Sequence, residues 1–175
     1  MDIQEAVALI ERAVPRNTKI WVDVGAGEGT FTRALVELLG PDARVYAVDR
    51  DARALGALHR WATRDAARIT PIEADFTDAL HLPERVDGML LANALHFVPD
   101  PGAVLARLVK LVRPGGRVVV VEYDRRWPNP WVPYPIASKK LPALAAAAGL
   151  SEPTIMGTRP SAYSGTLYAA AMNLE

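Results

Sequence analysis

Residues 19–50, KIWVDVGAGEGTFTRALVELLGPDARVYAVDR, leave this chain little freedom in how it folds. An apolar run, Ile20 to Val24, leads into three glycines spaced GxGxG at Gly25, Gly27 and Gly29, and an amphipathic run follows at once. Glycines at that spacing let the backbone bend sharply from a strand into a helix. They also keep Cβ atoms away from anything that approaches the turn. A second apolar run, Val45 to Val48, ends at Asp49, 20 residues beyond Gly29. Strand, glycine turn, helix, strand and terminal acid is the layout of a nucleotide-type ligand site, in which the unpaired amides of the helix start face the ligand.

The same alternation continues along the chain and predicts a parallel sheet with helices on both faces. Further strands are expected at Ile69 to Glu73, Gly88 to Ala92 and Val118 to Val121, as near-continuous apolar runs suited to burial on both sides. Ile3, Ala6, Val7 and Ile10 share one face of a first helix that Pro15 ends. Phe31, Ala34, Leu35, Leu38 and Leu39 form a second stripe, stopped by Gly40-Pro41. Asp51 is placed to cap a helix carrying Leu55, Leu58 and Ala62. Asp100 is placed to cap another, with Pro101 in its first turn and Val104, Leu105, Leu108 and Val109 inward. Arg113-Pro114-Gly115-Gly116 forces a turn into the fifth strand, and a last helix spans about Ser138 to Ala148. Two more strands, around Pro153 to Gly157 and Thr166 to Met172, flank the turn-rich Arg159 to Gly165, so a hairpin and one antiparallel strand close the sheet. Between them, 123–135 (YDRRWPNPWVPYP) combines prolines and aromatics and reads as a stiff loop.

Composition narrows the chemistry. With 175 residues, half of them apolar, the chain is expected to form a single domain over 1–175 and to bury roughly 70% of its unfolded surface. It contains no cysteine, which removes disulfides, thiolate metal sites and any cysteine nucleophile; no metal ligand set is expected. Twenty basic residues balance twenty acidic ones, so no basic face points to nucleic acid or to an anionic membrane. The opening DIQEAVALIERAV reads as a helix of the folded domain and not as a signal peptide, and no apolar run is long enough to span a bilayer. A cytoplasmic protein is the resulting expectation.

In a sheet of this kind the ligand lies outside the carboxyl ends of the strands, near the point where strand order reverses. Gly25 to Gly29, Asp49, Asp75 and Phe76, Asn93 to Phe97, and Glu122 to Asp124 all map to that edge. Asp49 suits two ribose hydroxyls, and Asp75 an exocyclic adenine amine with Phe76 beside the ring. Five segments in order, VDVGAGEGTFT (22–32), VYAVDRD (45–51), IEADFTD (72–78), VDGMLLANALHFV (86–98) and LVRPGGRVVVVEYD (111–124), resemble the motifs of the class I S-adenosylmethionine-dependent methyltransferases, and within them the small-molecule group that includes quinone methyltransferases. The resemblance covers nearly the whole chain. It implies a Rossmann-like, doubly wound, mostly parallel seven-stranded sheet of order 3-2-1-4-5-7-6, and S-adenosyl-L-methionine as cofactor.

By position, the resemblance makes Gly25, Ala26, Gly27 and Gly29 the turn beneath the methionine part of that cofactor, with Asp23 helping to hold its amino group. Asp49 binds the ribose, Arg50 lies alongside the adenine, Asp75 and Phe76 read the adenine edge, and Asn93 lies near the methionyl group. Arg50 departs from the apolar residue many relatives carry there. His96, the histidine on the active edge, is the candidate base or hydrogen-bond partner of the acceptor; a hydrogen-bonded structural or solvent-facing histidine is the other reading. Tyr123, Arg126 and Trp127 are the candidate acceptor contacts. Trp127, Trp131 and Tyr134 suit the lining of an apolar substrate pocket and equally a sheet edge or a dimer contact; Arg125 and Arg126 suit a carboxylate or phosphate on the acceptor, or a solvated surface pair. Asp49 or Asp51 could instead cap the next helix, and Asp75 could serve a local turn.

Two other functions fit the first signal. A nicotinamide-dependent oxidoreductase shares the turn, yet the fingerprint's sixth position is Thr30 and no Tyr-x-x-x-Lys pair is present. A non-catalytic cofactor-binding regulatory domain is the other. Within the methyltransferases, Asn93-Ala94-Leu95-His96 lacks the Asn-Pro-Pro-Tyr pattern of DNA and glutamine enzymes, so a small, partly apolar acceptor is expected. The segment after the fifth strand is short, so the site is either open or closed by the first helix, by the 123–135 loop, or by the second subunit of a homodimer.

Overall fold

A computed structural model describes residues 1–161 and 165–175. Seven strands form one sheet: β1 (Ile20–Val24), β2 (Arg44–Asp49), β3 (Ile69–Glu73), β4 (Val86–Ala92), β5 (Val112–Tyr123), β6 (Thr154–Pro160) and β7 (Thr166–Asn173). Their order is 3-2-1-4-5-7-6. The first five run parallel, and β7 inserts antiparallel between β5 and β6. β1 therefore pairs with β2 on one side and β4 on the other, which puts the reversal of strand order beside the glycine turn.

Side chains alternate across this sheet with the period of two that extended backbone dictates. Trp21, Leu90, Val119 and Ala169 point to one core, packed against α1 (Ile3–Ile10), α2 (Thr30–Leu39) and α3 (Ala52–Arg64). Val22, Met89, Val118 and Tyr168 point to the other, packed against α4 (Pro101–Leu108) and α5 (Leu141–Ala147). The expected helix signals act as they should. Asp51 accepts from the Arg53 and Ala54 amides, Asp100 accepts from the Ala103 amide, and Gly40 ends α2 with a φ of 82°.

Several boundaries differ from expectation for reasons of pairing. Val112 already pairs with Val86, and the ladder resumes at Gly88 and Arg117, so Arg113 to Gly116 bulge out within β5 instead of preceding it. Asp87 serves that bulge: its carboxylate binds Arg113 at 2.9 Å and accepts from the Lys19 and Ile20 amides. The last helix begins as a 3-10 turn over Ser138–Lys140 and becomes α-helical at Leu141. β6 runs on to Pro160; of the turn expected over 159–165, residues 162–164 lie outside the described residues. Among the described residues no helix is long and apolar enough to cross a membrane.

Candidate active site

The glycine turn is shaped by contacts as well as by dihedral angles. Gly25 and Gly29 have φ of 77° and 86°, a region that disfavours side chains. A Cβ on Gly25 would stand 2.8 Å from that of Ala94, and one on Gly29 would run into Leu58. Gly25 thus keeps the floor of the site open, while Gly29 lets α2 pack on α3. Most of the amides of the glycine turn itself are engaged within the protein. Gly25 and Ala26 both donate to the Val48 carbonyl, Gly29 donates to Ala26, and Gly27 donates to Asp49 Oδ2 at 2.7 Å. The end of β2 takes up three of these four donors, which locks the turn to the strand that carries Asp49.

Asp49 itself does not cap α3. Its second oxygen accepts from the Asp51 amide at 2.9 Å, and Asp51 makes the cap. Behind the turn, Asp23 is 1% exposed, with Oδ2 accepting from the Thr32 hydroxyl at 2.6 Å and Oδ1 without a partner among the described residues. Burial pushes its pKa up to about 7; the Thr32 bond opposes that rise and nearby Asp49 adds to it.

In front of the turn lies a cavity of about 380 Å³, within the size range of small-ligand sites. Gly25, Asp49, Arg50, Asp75, Phe76 and Asn93 line it, whereas Asp23, Ala26, Gly27 and Gly29 support it from behind. Asp75 Oδ1 accepts from both the hydroxyl and the amide of Thr77, which hold its pKa below the usual carboxylate range; Arg50, 3.8 Å from Oδ2, adds to that effect. The Phe76 and Thr77 carbonyls accept from Arg107 of α4, at 3.0 and 2.6 Å. Asn93 has a φ of 54°, donates its amide to the Val121 carbonyl, and has a buried Oδ1 with no partner among the described residues.

A second cavity, of about 220 Å³, shares Asn93 and Phe97 with the first and adds His96, Tyr123, Arg125 and Trp131. His96 is 2% exposed, and its Nδ1 lies 2.6 Å from Oε2 of Glu122, which is fully buried. The His96 amide also donates to Oε1 of that carboxylate, at 3.2 Å. With Glu122 accepting both bonds, Nδ1 is assigned as the donor of the ring. Arg126 lies in a third, separate groove beside Lys139 and Lys140, and Trp127 is 77% exposed on the surface. Of the three acceptor contacts expected from the sequence, Tyr123 alone lines the cavity next to His96. Among the described residues no three His, Asp or Glu side chains cluster as a metal site.

Two residues that matter to this geometry had no role assigned from the sequence. Glu122 gave a signal, an acid ending an otherwise apolar strand on the active edge. Arg107 gave none of its own, because a helix face does not reveal what it will touch.

A family model described as a methyltransferase domain matches residues 22–116, more than half of the chain. A trans-aconitate 2-methyltransferase of Methylobacterium radiotolerans is 30% identical over 97% of this chain and 64% of its own length. A ubiquinone/menaquinone biosynthesis C-methyltransferase of Burkholderia vietnamiensis is 30% identical over 61% of this chain and 44% of its own. Among solved structures, the 1,6-didemethyltoxoflavin-N1-methyltransferase of Burkholderia thailandensis, with bound 1,6-didemethyltoxoflavin and S-adenosylhomocysteine, matches with a TM-score of 0.74 and 25% identity, over 98% of this chain and 76% of that one. The chain spans 44%, 64% and 56% of the length of three curated relatives it matches.

Proposed function

We propose, from the premise that this chain belongs to the class I S-adenosylmethionine-dependent methyltransferases, that it transfers a methyl group to a small-molecule acceptor by in-line displacement. The observation that carries the reading is the first cavity, where a floor without a Cβ, a buried unpartnered acceptor on Asn93 and two carboxylates converge. S-adenosylmethionine supplies the methyl group on a positively charged sulfur. Asp49 would hold the ribose: each of its oxygens accepts one amide and keeps a lone pair for a hydroxyl. Asp75 would receive the adenine amine on Oδ2, since Oδ1 is committed to Thr77. Phe76 and Arg50 would flank the ring, and Asn93 Oδ1 would meet the methionyl portion. Asp23 acts behind the turn.

Most of the rate would come from positioning, worth roughly 7–11 kcal/mol when two reactants are held in line. His96 would serve as base for an acceptor that must lose a proton, with Glu122 fixing its tautomer. The relatives, named for trans-aconitate, quinone and didemethyltoxoflavin methylation, agree on a small acceptor and differ in the acceptor atom. They lend no support to the nicotinamide or non-catalytic alternatives. The proposal includes a second copy of the chain covering Trp127 and Tyr134, which are 77% and 43% exposed; a monomer at all concentrations in sedimentation would remove that element.

The test is calorimetric. Asp49→Ala should weaken S-adenosylhomocysteine binding on the order of tenfold or more, the cost of losing hydrogen bonds to a charged acceptor. Unchanged affinity would remove Asp49 from the ribose site.

A further inference from the structure

The second cavity has a chemistry of its own. Arg125 is the permanently charged side chain in its wall, and no ion pair holds it among the described residues. The nearest acids along the chain are engaged elsewhere, Asp124 with the amide and hydroxyl of Ser138 and Glu122 with His96. The rest of the wall is largely aromatic. Tyr123 extends from the end of β5, and Trp131 stands on a turn in which Asn129 Oδ1 accepts from the Trp131 and Val132 amides while Asn129 and Val132 exchange backbone bonds. Pro128, Pro130 and Pro133 fix φ around that turn. An indole presented this way loses little freedom when a ring stacks on it.

We propose that this chamber binds a single-ring aromatic acid bearing a hydroxyl group, and that the hydroxyl oxygen is the methyl acceptor. The inference rests on the methyl-transfer reading and names its substrate class. Arg125 pairs with the carboxylate, the ring lies between Tyr123 and Trp131, and the hydroxyl points to His96. At about 220 Å³ the chamber is smaller than the ~300–1,000 Å³ of drug-sized sites, which suits one ring. An amine acceptor is disfavoured twice. It needs no base once neutral, and while protonated it is repelled by Arg125. A hydroxyl uses what is there. Its proton passes to Nε2 of His96, an oxygen lone pair forms the new C–O bond, and the electron pair of the breaking S–C bond remains on sulfur. The products are a methyl ether, a neutral thioether and a proton that His96 releases to water.

The test uses the whole chain saturated with S-adenosylhomocysteine, titrated calorimetrically with 2-, 3- and 4-hydroxybenzoate and with phenol. At least one hydroxybenzoate should bind on the order of tenfold more tightly than phenol, as expected for a charge-assisted pair. Arg125→Gln should abolish that difference while leaving S-adenosylhomocysteine affinity intact, which also shows that the variant is folded. Arg126→Gln, in the separate groove, should preserve it. The proposal is overturned if S-adenosylhomocysteine binds but no hydroxybenzoate outperforms phenol, if Arg126→Gln has the effect expected of Arg125→Gln, or if turnover yields a methyl ester. Failure of S-adenosylhomocysteine itself to bind would overturn the methyl-transfer reading on which the proposal stands.

Discussion

Asp23 is a residue whose charge the fold controls through burial. An unfolded chain releases its proton near the ordinary carboxylate value of 3.8, whereas the folded chain keeps it up to about 7. The folded state therefore binds more protons between those values, and stability from this residue is full below about pH 4 and is lost as pH rises to 7, by on the order of 4 kcal/mol. Denaturant unfolding of Asp23→Asn should show a flatter stability profile than the parent chain between pH 4.5 and 8. Parallel profiles would mean that Asp23 is ionised throughout. His96 and Glu122 invite a kinetic comparison: His96→Gln should lower kcat about 10²–10⁴-fold with cofactor affinity unchanged, and Glu122→Gln should lower it less. Equal cofactor loss in both variants would make the pair a structural support. At this scale the sequence disclosed features that local spacing dictates, such as the left-handed Gly25 of the turn and a cap at the start of α3, which Asp51 supplies. It did not disclose that Asp49 grips the Gly27 amide, nor that Arg107 ties down the Phe76 loop from 31 residues away.

Among the elements, β1 and β4 are fitted to each other through one pair. Trp21 is opposite Gly88 in their parallel register, and a Cβ on Gly88 would enter the indole of this fully buried tryptophan. Gly88→Ala should cost about 1–3 kcal/mol in urea unfolding with an unchanged m value, the usual penalty of overpacking a core. A loss below about 0.5 kcal/mol would show that the indole moves aside freely. Helix stripes and caps were legible because i, i+3, i+4 spacing and Asp or Gly ends act within a few residues. The starts of β4 and β5 were not, since the Val86 to Val112 pair exists only after the two strands meet around the Arg113 to Gly116 bulge. The 123–135 loop was readable as stiff. Which of its side chains would turn inward depends on the Asn129 turn and on the Tyr134 amide bound to the His96 carbonyl.

For the molecule as a whole, alternating apolar runs and helical stripes made a parallel sheet with a terminal hairpin legible, whereas the strand order 3-2-1-4-5-7-6 came from the family resemblance. Balanced charge argued for a small-molecule reading, and the relatives are named for the methylation of small molecules. The acceptor was not legible, because its cavity is assembled from β4, β5 and the loop beyond them. The account depends most on the identity of the ligand in front of Gly25. Titration of the intact chain with S-adenosylhomocysteine and, separately, with NADH and NADPH tests it most directly. One equivalent of S-adenosylhomocysteine should bind, competed away by S-adenosylmethionine, with no heat from either nicotinamide; saturable nicotinamide binding with no response to the sulfur ligands would contradict it.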